Sequence, residues 1–312
     1  MEQRSYPKVT VVGAGNVGAS TALLLMLKDL ADVVMIDVAE GLAKGKALDI
    51  MHMRSNERFG PVIQGTADYA DTVNSDIMVV TAGVPRKPGM TREDLLDVNA
   101  GIVSQVIDNA LSYSPNAIYI FVTNPLDVMT NLAYRLSGLP KQRLMGMGGV
   151  LDTARFTYAI AEQTGANPGQ IDALVIGAHG EAMLPLPRFS KVDGKPISEL
   201  LDADSIDRVV ENTIKGGAAV VELLQTGSAF YAPASSIVAM IESILRDDGR
   251  ILSTCALLEG EYGIEGVYMC VPTLLGPEGV KEIVELDLQE EERVQLQASA
   301  ASIRASVEAL SV

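Results

Sequence analysis

The chain has very few of the residues that build disulfide frameworks and metal centres: two cysteines, two histidines and no tryptophan in 312 residues. Cys255 and Cys270 form neither a CxxC pair nor a ligand spacing with a histidine, which favours reduced thiols in a cytoplasmic protein. The same scarcity disfavours a metalloenzyme, so we expect no bound metal. A serine hydrolase is disfavoured because the chain has no G-x-S-x-G elbow.

Positive charge and long apolar runs are also scarce. The 40 acidic residues outnumber the 24 basic ones, which gives a formal net charge of −16. So acidic a surface repels nucleic-acid phosphates and anionic membranes, and no basic tract offsets it. No apolar run approaches the roughly 18 residues needed to cross a bilayer, and a charged start that leads into a strand-like run is unlike a signal peptide. We expect a cytoplasmic protein that binds neither nucleic acid nor membrane.

The first half of the chain alternates apolar, β-branched runs with helical patterns. The runs are "KVTVVGAG", "DVVMIDV", "DIMVVTAG" and "AIYIFVTNP". Strands that are apolar on both faces and are separated by helices indicate a parallel sheet covered on both sides. Residues 1–147 are therefore expected to form an α/β domain, a doubly wound parallel sheet with ligands at the carboxyl ends of its strands. His52, in the apolar helical pattern "ALDIMHM", is expected to pack inside this domain.

The pattern changes at residue 148. Helical patterns cover about 149–164, 204–224 and 234–245, short strands are expected near "ILSTCALL" and "GVYMCVP", and a charged amphipathic helix ends the chain. The segment "MLPLPRFSKVDGKPI" carries the Pro and Asp-Gly signals of a hairpin. Residues 148–312 are expected to form a C-terminal α+β domain that holds the substrate.

A glycine array lies directly after the first expected strand and opens a helix. "VTVVGAGNVGAS" places Gly13, Gly15 and Gly18 in a G-x-G-x-x-G pattern. Such glycines let the backbone approach a pyrophosphate, and the helix N-terminus supplies free N–H groups. Asp37 ends the second strand, close to the roughly 20-residue spacing at which a carboxylate meets the adenosine ribose and would repel a 2′-phosphate. The pattern predicts a Rossmann domain that binds NAD rather than NADP, with cofactor contacts from Gly13, Ala14, Gly15, Asn16, Val17, Gly18 and Asp37.

Three residues in the second half carry the chemistry of a proton transfer. His179 ends an apolar run and has Gly177 and Gly180 nearby, which leaves its imidazole exposed to a ligand. An imidazole with its usual pKa of about 6.5 can both donate and accept a proton at neutral pH. Asp152 and Arg155 lie on one face of a helix, either as a local ion pair or with separate partners. In the second case Asp152 would orient an imidazole and Arg155 would bind a carboxylate with its guanidinium fork.

Two further segments follow expected strands at the active edge of the sheet. "TAGVPRKPGMTREDLLDVN" holds Arg86, Lys87 and Arg92. In so acidic a protein these charges suit an anionic ligand under a movable lid, although a solvated surface loop would also explain them. "VTNPLDV" presents Asn124 at a strand end as an amide that can position a carbonyl or a carboxamide.

With these residues in place, the chain resembles the lactate/malate dehydrogenase family along nearly its whole length. It is most similar to the lactate-dehydrogenase-like malate dehydrogenases of bacteria, through "GAGNVG", "TAGVPRKPGMTREDLL", "VTNPLDVMT", "GVLDTARF", "GAHGE", "GSAFYAP" and "YGIEGVY". The resemblance implies that His179 exchanges a proton with the substrate oxygen, that Asp152 orients His179, and that Arg155 binds the C1 carboxylate.

The resemblance also assigns roles in the first half of the chain. Arg92 would close with its loop and polarise the substrate carbonyl, and Asn124 would hydrogen-bond the substrate. Asn99, together with Val122, Thr123 and Asn124, would seat the nicotinamide. Members of this family are usually homotetramers and sometimes dimers, so a homo-oligomer is expected.

The choice of substrate depends on Arg86. Oxaloacetate carries a second carboxylate where pyruvate carries a methyl group, and the family distinguishes the two at this loop position. A buried arginine left without an anion costs roughly 2–5 kcal/mol, about two to three orders of magnitude against pyruvate. Ala229, where lactate enzymes often carry threonine, also suits a larger acid. The expected activity is NAD-dependent interconversion of malate and oxaloacetate. The alternatives are a lactate or broad 2-hydroxyacid dehydrogenase and, from another class, a non-catalytic NAD-binding sensor.

Overall fold

The computed structural model describes residues 6–85 and 91–310. In the first half, the strands are β1 (Lys8–Val12), β2 (Asp32–Ile36), β3 (Ile63–Thr66), β4 (Ile77–Val80), β5 (Ile118–Phe121) and β6 (Leu144–Gly146). The helices between them are α1 (Asn16–Leu27), α2 (Glu40–His52), α3 (Arg54–Glu57), α4 (Arg92–Tyr113) and α5 (Leu126–Ser137).

The second half contains four α-helices and an antiparallel group of strands among its described residues. Its helices are α6 (Gly149–Thr164), α7 (Ala203–Leu224), α8 (Tyr231–Arg246) and α9 (Glu290–Glu308). Its strands are β7 (Ile171–Asp172), β8 (Val175–Gly177), β9 (Met183–Pro185), β10 (Lys191–Val192), β11 (Lys195–Pro196), β12 (Ile251–Glu259), β13 (Glu265–Gly276) and β14 (Gly279–Ile283).

Six parallel strands of the first half lie in the order β3-β2-β1-β4-β5-β6. The chain runs to one side of β1 and then to the other, so the strand order reverses between β1 and β4. Ligands bind in the crevice that such a reversal opens at the carboxyl ends of the strands. The expected α/β fold with a doubly wound parallel sheet is confirmed.

Both faces of this sheet are buried, which explains the uninterrupted apolar runs. Along β4, Ile77 and Val79 pack into a core that includes residues of α1, α2 and α8. Met78 and Val80 pack into the opposite core, with residues of α4, α5 and α9. Alternate side chains therefore enter different cores, and every position along β4 has to be apolar.

The sheet continues from the first half into the second. Strand β6 lies beside β12, followed by β13, β8 and β9. Within this run Cys255 is paired with both Gly146 and Cys270, and Cys270 with Gly177. Strands β12 and β13, with 9 and 12 residues, are longer than the short strands expected. This row of paired residues across β6, β12, β13 and β8 brings the end of β8, and the loop that follows it, close to the end of the parallel sheet.

Several local expectations have clear outcomes. The hairpin is confirmed: β10 and β11 pair antiparallel across Asp193 and Gly194, whose φ angles are +49° and +76°. The helix expected over about 149–164 is confirmed as α6, which ends at Thr164 directly before Gly165, whose φ is +70°. The expectation for His52 is wrong, because the residue is the exposed last residue of α2 and its apolar neighbours face the core without it. Among the described residues, no helix combines the length and apolar character of a membrane span.

Candidate active site

The glycine array forms a tight turn between β1 and α1. Gly13 has a φ of +105°, and a Cβ at this position would lie 2.7 Å from Thr81 Oγ1. A Cβ at Gly18 would lie 1.9 Å from the Gly13 carbonyl oxygen, so helix and turn can approach each other only with glycine. A Cβ at Gly15, in contrast, would meet no atom of the described residues within 4 Å. The turn therefore leaves an open cradle before the first N–H groups of α1, which fits a phosphate.

Asp37 lies beside this turn, at the carboxyl end of β2. The Ala14 N–H donates to its Oδ2 at 2.7 Å, and the Ala39 N–H donates to its Oδ1 at 2.9 Å. Lys46 Nζ donates to the Ala14 carbonyl at 2.8 Å from the other side. The carboxylate thus fixes the turn and also lies on the wall of a cavity of about 430 Å³ with Val38, Leu42 and Tyr69.

A second cavity, of about 330 Å³, opens on the other side of the turn. The two cavities share Gly15, Thr81, Gly83 and Val84, so together they form one groove with the glycine turn at its middle. That shape fits a dinucleotide, with the phosphates at the turn and a nucleoside on each side. Among the predicted cofactor contacts, the second cavity is lined by Gly15, Asn16, Val17, Gly18, Asn99, Val122, Thr123 and Asn124.

His179 lies on the wall of the second cavity and is bonded to a buried carboxylate. The distance from His179 Nδ1 to Asp152 Oδ2 is 2.8 Å. Arg155 Nη1 donates to the other oxygen, Asp152 Oδ1, at 3.1 Å. The Asp152 side chain is 1% exposed, whereas His179 and Arg155 keep 15% and 19% exposure. Asp152 therefore forms the local ion pair with Arg155 and also holds the imidazole of His179, through one oxygen each, while the binding of a substrate carboxylate by Arg155 stays a prediction.

The electrostatics of this pair keep His179 protonated to higher pH. Burial alone would lower the pKa of the His179 imidazole, but the charge and hydrogen bond of Asp152 oppose it. The charge of Asp127 acts in the same upward direction, and that of Arg155 acts downward. The net pKa lies above the usual value of 6.5. An imidazole held this way is suited to donate and recover a proton near neutral pH.

The glycines around His179 shape its loop. Gly177 and Gly180 have φ angles of +91° and +123°, a conformation that other residues rarely adopt. A Cβ at Gly180 would meet no described atom within 4 Å. The loop therefore turns sharply after β8, and the space next to Gly180, the residue that follows His179, is open.

Asn124 and Asn99 lie together at the end of β5. Asn99 Nδ2 donates to the Asn124 carbonyl at 2.7 Å, and its Oδ1 accepts the Val84 N–H at 2.8 Å. The Asn99 amide therefore connects the segment after β4 to the end of β5. Asn99 is also one of the residues that line the second cavity. Asn124 is exposed on the same wall.

Two of the predicted substrate arginines cannot be placed. Arg86 lies outside the described residues. Arg92 is the first residue of α4, which begins with a capping box between Thr91 and Asp94, but its side chain lies outside the described part of the structure. The roles expected for both arginines stay predictions. Ala229 is on the cavity wall, next to Phe230.

Sequence reasoning missed a buried polar cluster behind His179. Asp127, in the first turn of α5, is 5% exposed, and its Oδ2 accepts the His179 N–H at 2.8 Å. Cys255 and Cys270 are free and buried, and ligand-type atoms of these three residues lie within 4.8 Å of one another. The two cysteines are therefore close in space, although they are 15 residues apart in sequence. The absence of a metal stays a prediction. The available signal was an acid two residues after Pro125 in the otherwise apolar segment "PLDVM".

Comparisons with known proteins agree with this arrangement. The model of the lactate/malate dehydrogenase NAD binding domain matches residues 7–146, and that of the lactate/malate dehydrogenase alpha/beta C-terminal domain matches residues 149–311. A malate dehydrogenase of Nostoc punctiforme is 52% identical over 304 residues, which cover 97% of this chain and 93% of that protein.

Solved structures are similar over the same extent. The malate dehydrogenase of Cryptosporidium parvum has a TM-score of 0.95 at 40% identity and covers 98% of this chain and 99% of its own. The lactate dehydrogenase of the same organism, complexed with lactic acid and nicotinamide adenine dinucleotide, has a TM-score of 0.94 at 38% identity and covers 98% of both chains. By both family models and by these full-length similarities, the chain belongs to the lactate/malate dehydrogenase family and is an NAD-dependent oxidoreductase.

Proposed function

We propose that the chain catalyses the reversible oxidation of malate to oxaloacetate with NAD. The observation that carries the proposal is the 2.8 Å contact between His179 Nδ1 and Asp152 Oδ2 on the wall of a cavity that begins at the glycine turn. A non-catalytic NAD sensor would need the turn but not a buried acid that orients an imidazole. The pair therefore favours an enzyme over a sensor.

The residues of the groove fit the cofactor. The open space at Gly15 and the N–H groups that begin α1 would hold the pyrophosphate, and Asp37 would face the adenosine ribose. The wall formed by Val122, Thr123 and Asn124 would seat the nicotinamide. When bound, NAD supplies the acceptor or donor of the hydride.

His179 would carry the proton. Because Nδ1 is bonded to Asp152, Nε2 is the nitrogen left for the substrate hydroxyl. In malate oxidation Nε2 accepts the hydroxyl proton, and the resulting imidazolium is stabilised by the Asp152 carboxylate. In the reverse direction the imidazolium returns the proton to the carbonyl oxygen.

Arginines would bind the two carboxylates of the substrate. Arg155 is held by Asp152 through Nη1, which leaves the rest of its guanidinium fork for the C1 carboxylate. Arg86 would pair with the second carboxylate, and Arg92 would polarise the carbonyl. Asn124, exposed on the cavity wall, would donate a hydrogen bond to the substrate.

The names of the relatives support malate over lactate, as does the arginine at position 86. The lactate alternative is supported by the 38% identical Cryptosporidium lactate dehydrogenase. A paired assay of oxaloacetate and pyruvate with NADH and NADPH decides between them. We expect a kcat/KM for oxaloacetate with NADH that exceeds the value for pyruvate by about 100-fold or more. Comparable use of pyruvate would make the chain a lactate or broad 2-hydroxyacid enzyme, and NADH binding without turnover would make it a sensor.

We also propose that the chain works as a homo-oligomer, with a tetramer favoured and a dimer as the alternative. The C-terminal part of α7 exposes Val221, Leu223 and Leu224, whose exposures are 45%, 84% and 44%, and Tyr231 at the start of α8 is 75% exposed. Large apolar side chains that are exposed close together often mark protein–protein interfaces. Light scattering coupled to size-exclusion chromatography measures the mass directly, and a 33.1 kDa monomer would contradict the proposal.

Two further proposals concern location and organisation. A cytoplasmic location is supported by the two free, buried cysteines and by the use of NAD. Cell fractionation with an antibody to the chain tests it. We further propose that the chain divides between residues 147 and 148 into a cofactor half and a substrate half. The match to the NAD binding domain ends at residue 146, and the match to the C-terminal domain begins at residue 149, which supports this division.

A further inference from the structure

The geometry points to Asp127 as a positioning residue for the proton transfer, one whose carboxylate fixes the backbone of His179 and adds a second negative charge behind its imidazole. The inference rests on the proposed function, in that His179 is taken as the proton carrier. Asp127 does not line either cavity of the groove. It would therefore act through His179 and not on the substrate.

Asp127 connects two parts of the reaction centre. It lies in the first turn of α5, three residues after Asn124, and its Oδ2 accepts the His179 N–H at 2.8 Å. The loop that carries His179 has glycines with positive φ on both sides, so its backbone has unusual freedom. An anchored N–H at His179 fixes the origin of the side chain, while Asp152 fixes the ring. A displacement of about 1 Å at a reacting group can cost roughly 100-fold in rate.

A neutral acceptor would be enough to hold one N–H group. A buried carboxylate is an expensive way to do so, because the charge loses its hydration. The cost at Asp127 is visible in its pKa, which burial raises to about 6. The charge of His179, its N–H bond and the hydrogen bond from the Cys255 thiol all lower this pKa, but they do not cancel the effect of burial. The N-terminal position on α5 also favours an anion. A charge retained under these conditions is explained if its partner is the imidazolium of His179.

The surroundings of Asp127 are buried and linked by hydrogen bonds. Cys255 Sγ lies 3.6 Å from Asp127 Oδ1, and Cys270 Sγ accepts the N–H of Gly149, the first residue of α6, at 3.1 Å. The titratable or charged groups that act on the His179–Asp127 pair are contributed by α6, β12 and β13: Asp152, Arg155, Cys255 and Cys270. Two acids and one guanidinium therefore set the charge around the imidazole, and Asp127 is the acid that does not also bind Arg155.

The experiment compares Asp127→Asn with Asp127→Leu and with a matched control. Asp127→Asn keeps an oxygen for the His179 N–H and removes the charge. Asn131→Leu is the control, because Asn131 is one turn further along α5 and similarly buried. Its side-chain amide bonds the Tyr268 backbone and the Asp127 carbonyl, and makes no described bond to the His179 loop. The readouts are kcat, KM, the pH dependence of kcat/KM for oxaloacetate reduction, and NADH affinity.

For Asp127→Asn we expect a fall in kcat of about 10-fold and a shift of the pH limb of His179 to lower pH by roughly 0.5–1 unit. For Asp127→Leu we expect a fall in kcat of about 100-fold, because the backbone anchor is also lost. Asp127→Glu should recover the pH limb better than it recovers kcat. NADH affinity should change in none of them, and Asn131→Leu should leave the pH limb in place.

A second measurement needs no variant. The chain has two histidines, and His52 is exposed, so selective ¹⁵N and ¹³C labelling of histidine gives one reference residue and one active-site residue. The His179 amide should titrate with Asp127, near pH 6, and the His179 imidazole should titrate above the usual histidine value of 6.5. An Asp127→Asn pH limb identical to wild type, or a His179 amide that does not respond to pH, would overturn the inference. Failure of the proposed function looks different: His179→Asn would then leave turnover of oxaloacetate unchanged.

Discussion

The two ends of the groove are built by different means. At the cofactor end, Gly13 and Gly18 are required because any Cβ would lie 2.7 Å and 1.9 Å from neighbouring atoms, and all of these contacts arise within or beside one turn. At the reaction end, Asp152, His179 and Asp127 come from three segments and are joined by hydrogen bonds of 2.8 Å. Backbone shape therefore sets the first end and buried charge sets the second. Each end should fail separately when it is changed.

The largest expected effect separates the reaction end from the cofactor end. His179→Asn removes the imidazole proposed to carry the proton and keeps a polar side chain of similar size. We expect kcat for oxaloacetate reduction to fall by about 10²–10⁴-fold, with the NADH dissociation constant changed by less than about twofold. Steady-state kinetics and NADH fluorescence titration measure the two quantities. Loss of NADH affinity in parallel with kcat would show that the two ends are not separable.

Substrate choice gives the next effect and tests the role proposed for Arg86. Arg86→Gln should shift the ratio of kcat/KM for oxaloacetate over pyruvate by about 10²–10³-fold towards pyruvate, because the second carboxylate loses its partner. Lys87→Gln removes the neighbouring charge of the same loop and should leave the ratio near wild type. Equal shifts in both variants would mean that general loop charge, and not Arg86, selects the substrate.

A smaller effect is expected at the cofactor end. Gly18→Ala places a methyl group 1.9 Å from the Gly13 carbonyl, so the turn has to open. We expect the KM for NADH to rise roughly 10-fold, about 1.4 kcal/mol, while the pH dependence of kcat stays the same. Gly45→Ala, on α2 with no described atom within 4 Å of the new methyl, is the matched control and should leave the KM unchanged. Wild-type NADH affinity in Gly18→Ala would remove the steric argument.

The smallest effect is a displacement along the pH axis. Since the pKa of His179 lies above 6.5, the imidazolium needed for oxaloacetate reduction persists to higher pH than for a free histidine. Reduction should decline only above that raised pKa, and malate oxidation, which needs the neutral imidazole, should decline below it. Initial rates in both directions over pH 5–9 measure the two limbs. A shared limb at or below 6.5 would contradict the electrostatics described for Asp152 and Asp127.

The parts of the site that could be predicted are those encoded by short segments. The glycine turn and Asp37 lie within one βαβ unit, so their spacing carries the geometry. The Asp152–Arg155 pair was also visible as a helical spacing, although the spacing could not tell whether the two residues bind each other or other groups. In the structure Asp152 does both, through one oxygen each. Helix α6 places Asp152 and Arg155 on one face, and the loop after β8 supplies His179 as the second partner of Asp152.

Expectations that depended on long-range packing were less successful. His52 was assigned to the core from an apolar helical pattern, but α2 turns it towards solvent. Cys255 and Cys270 are distant from every histidine in sequence, yet the pairing of β12 with β13 places them opposite each other and beside Asp127. Neither outcome is contained in local spacing, because both depend on which strands become neighbours in the sheet.

The sequence by itself determined the alternation of strands and helices, the glycine turn with its acid, and the set of side chains able to carry a proton transfer. These features follow from local sterics and hydrogen bonding, which act over a few residues. Only the tertiary structure decided that Asp152 is shared by His179 and Arg155 and that Asp127 holds His179 from behind. The physical reason is that a buried carboxylate is stable only beside specific partners, and the folded sheet brings those partners together from distant parts of the chain.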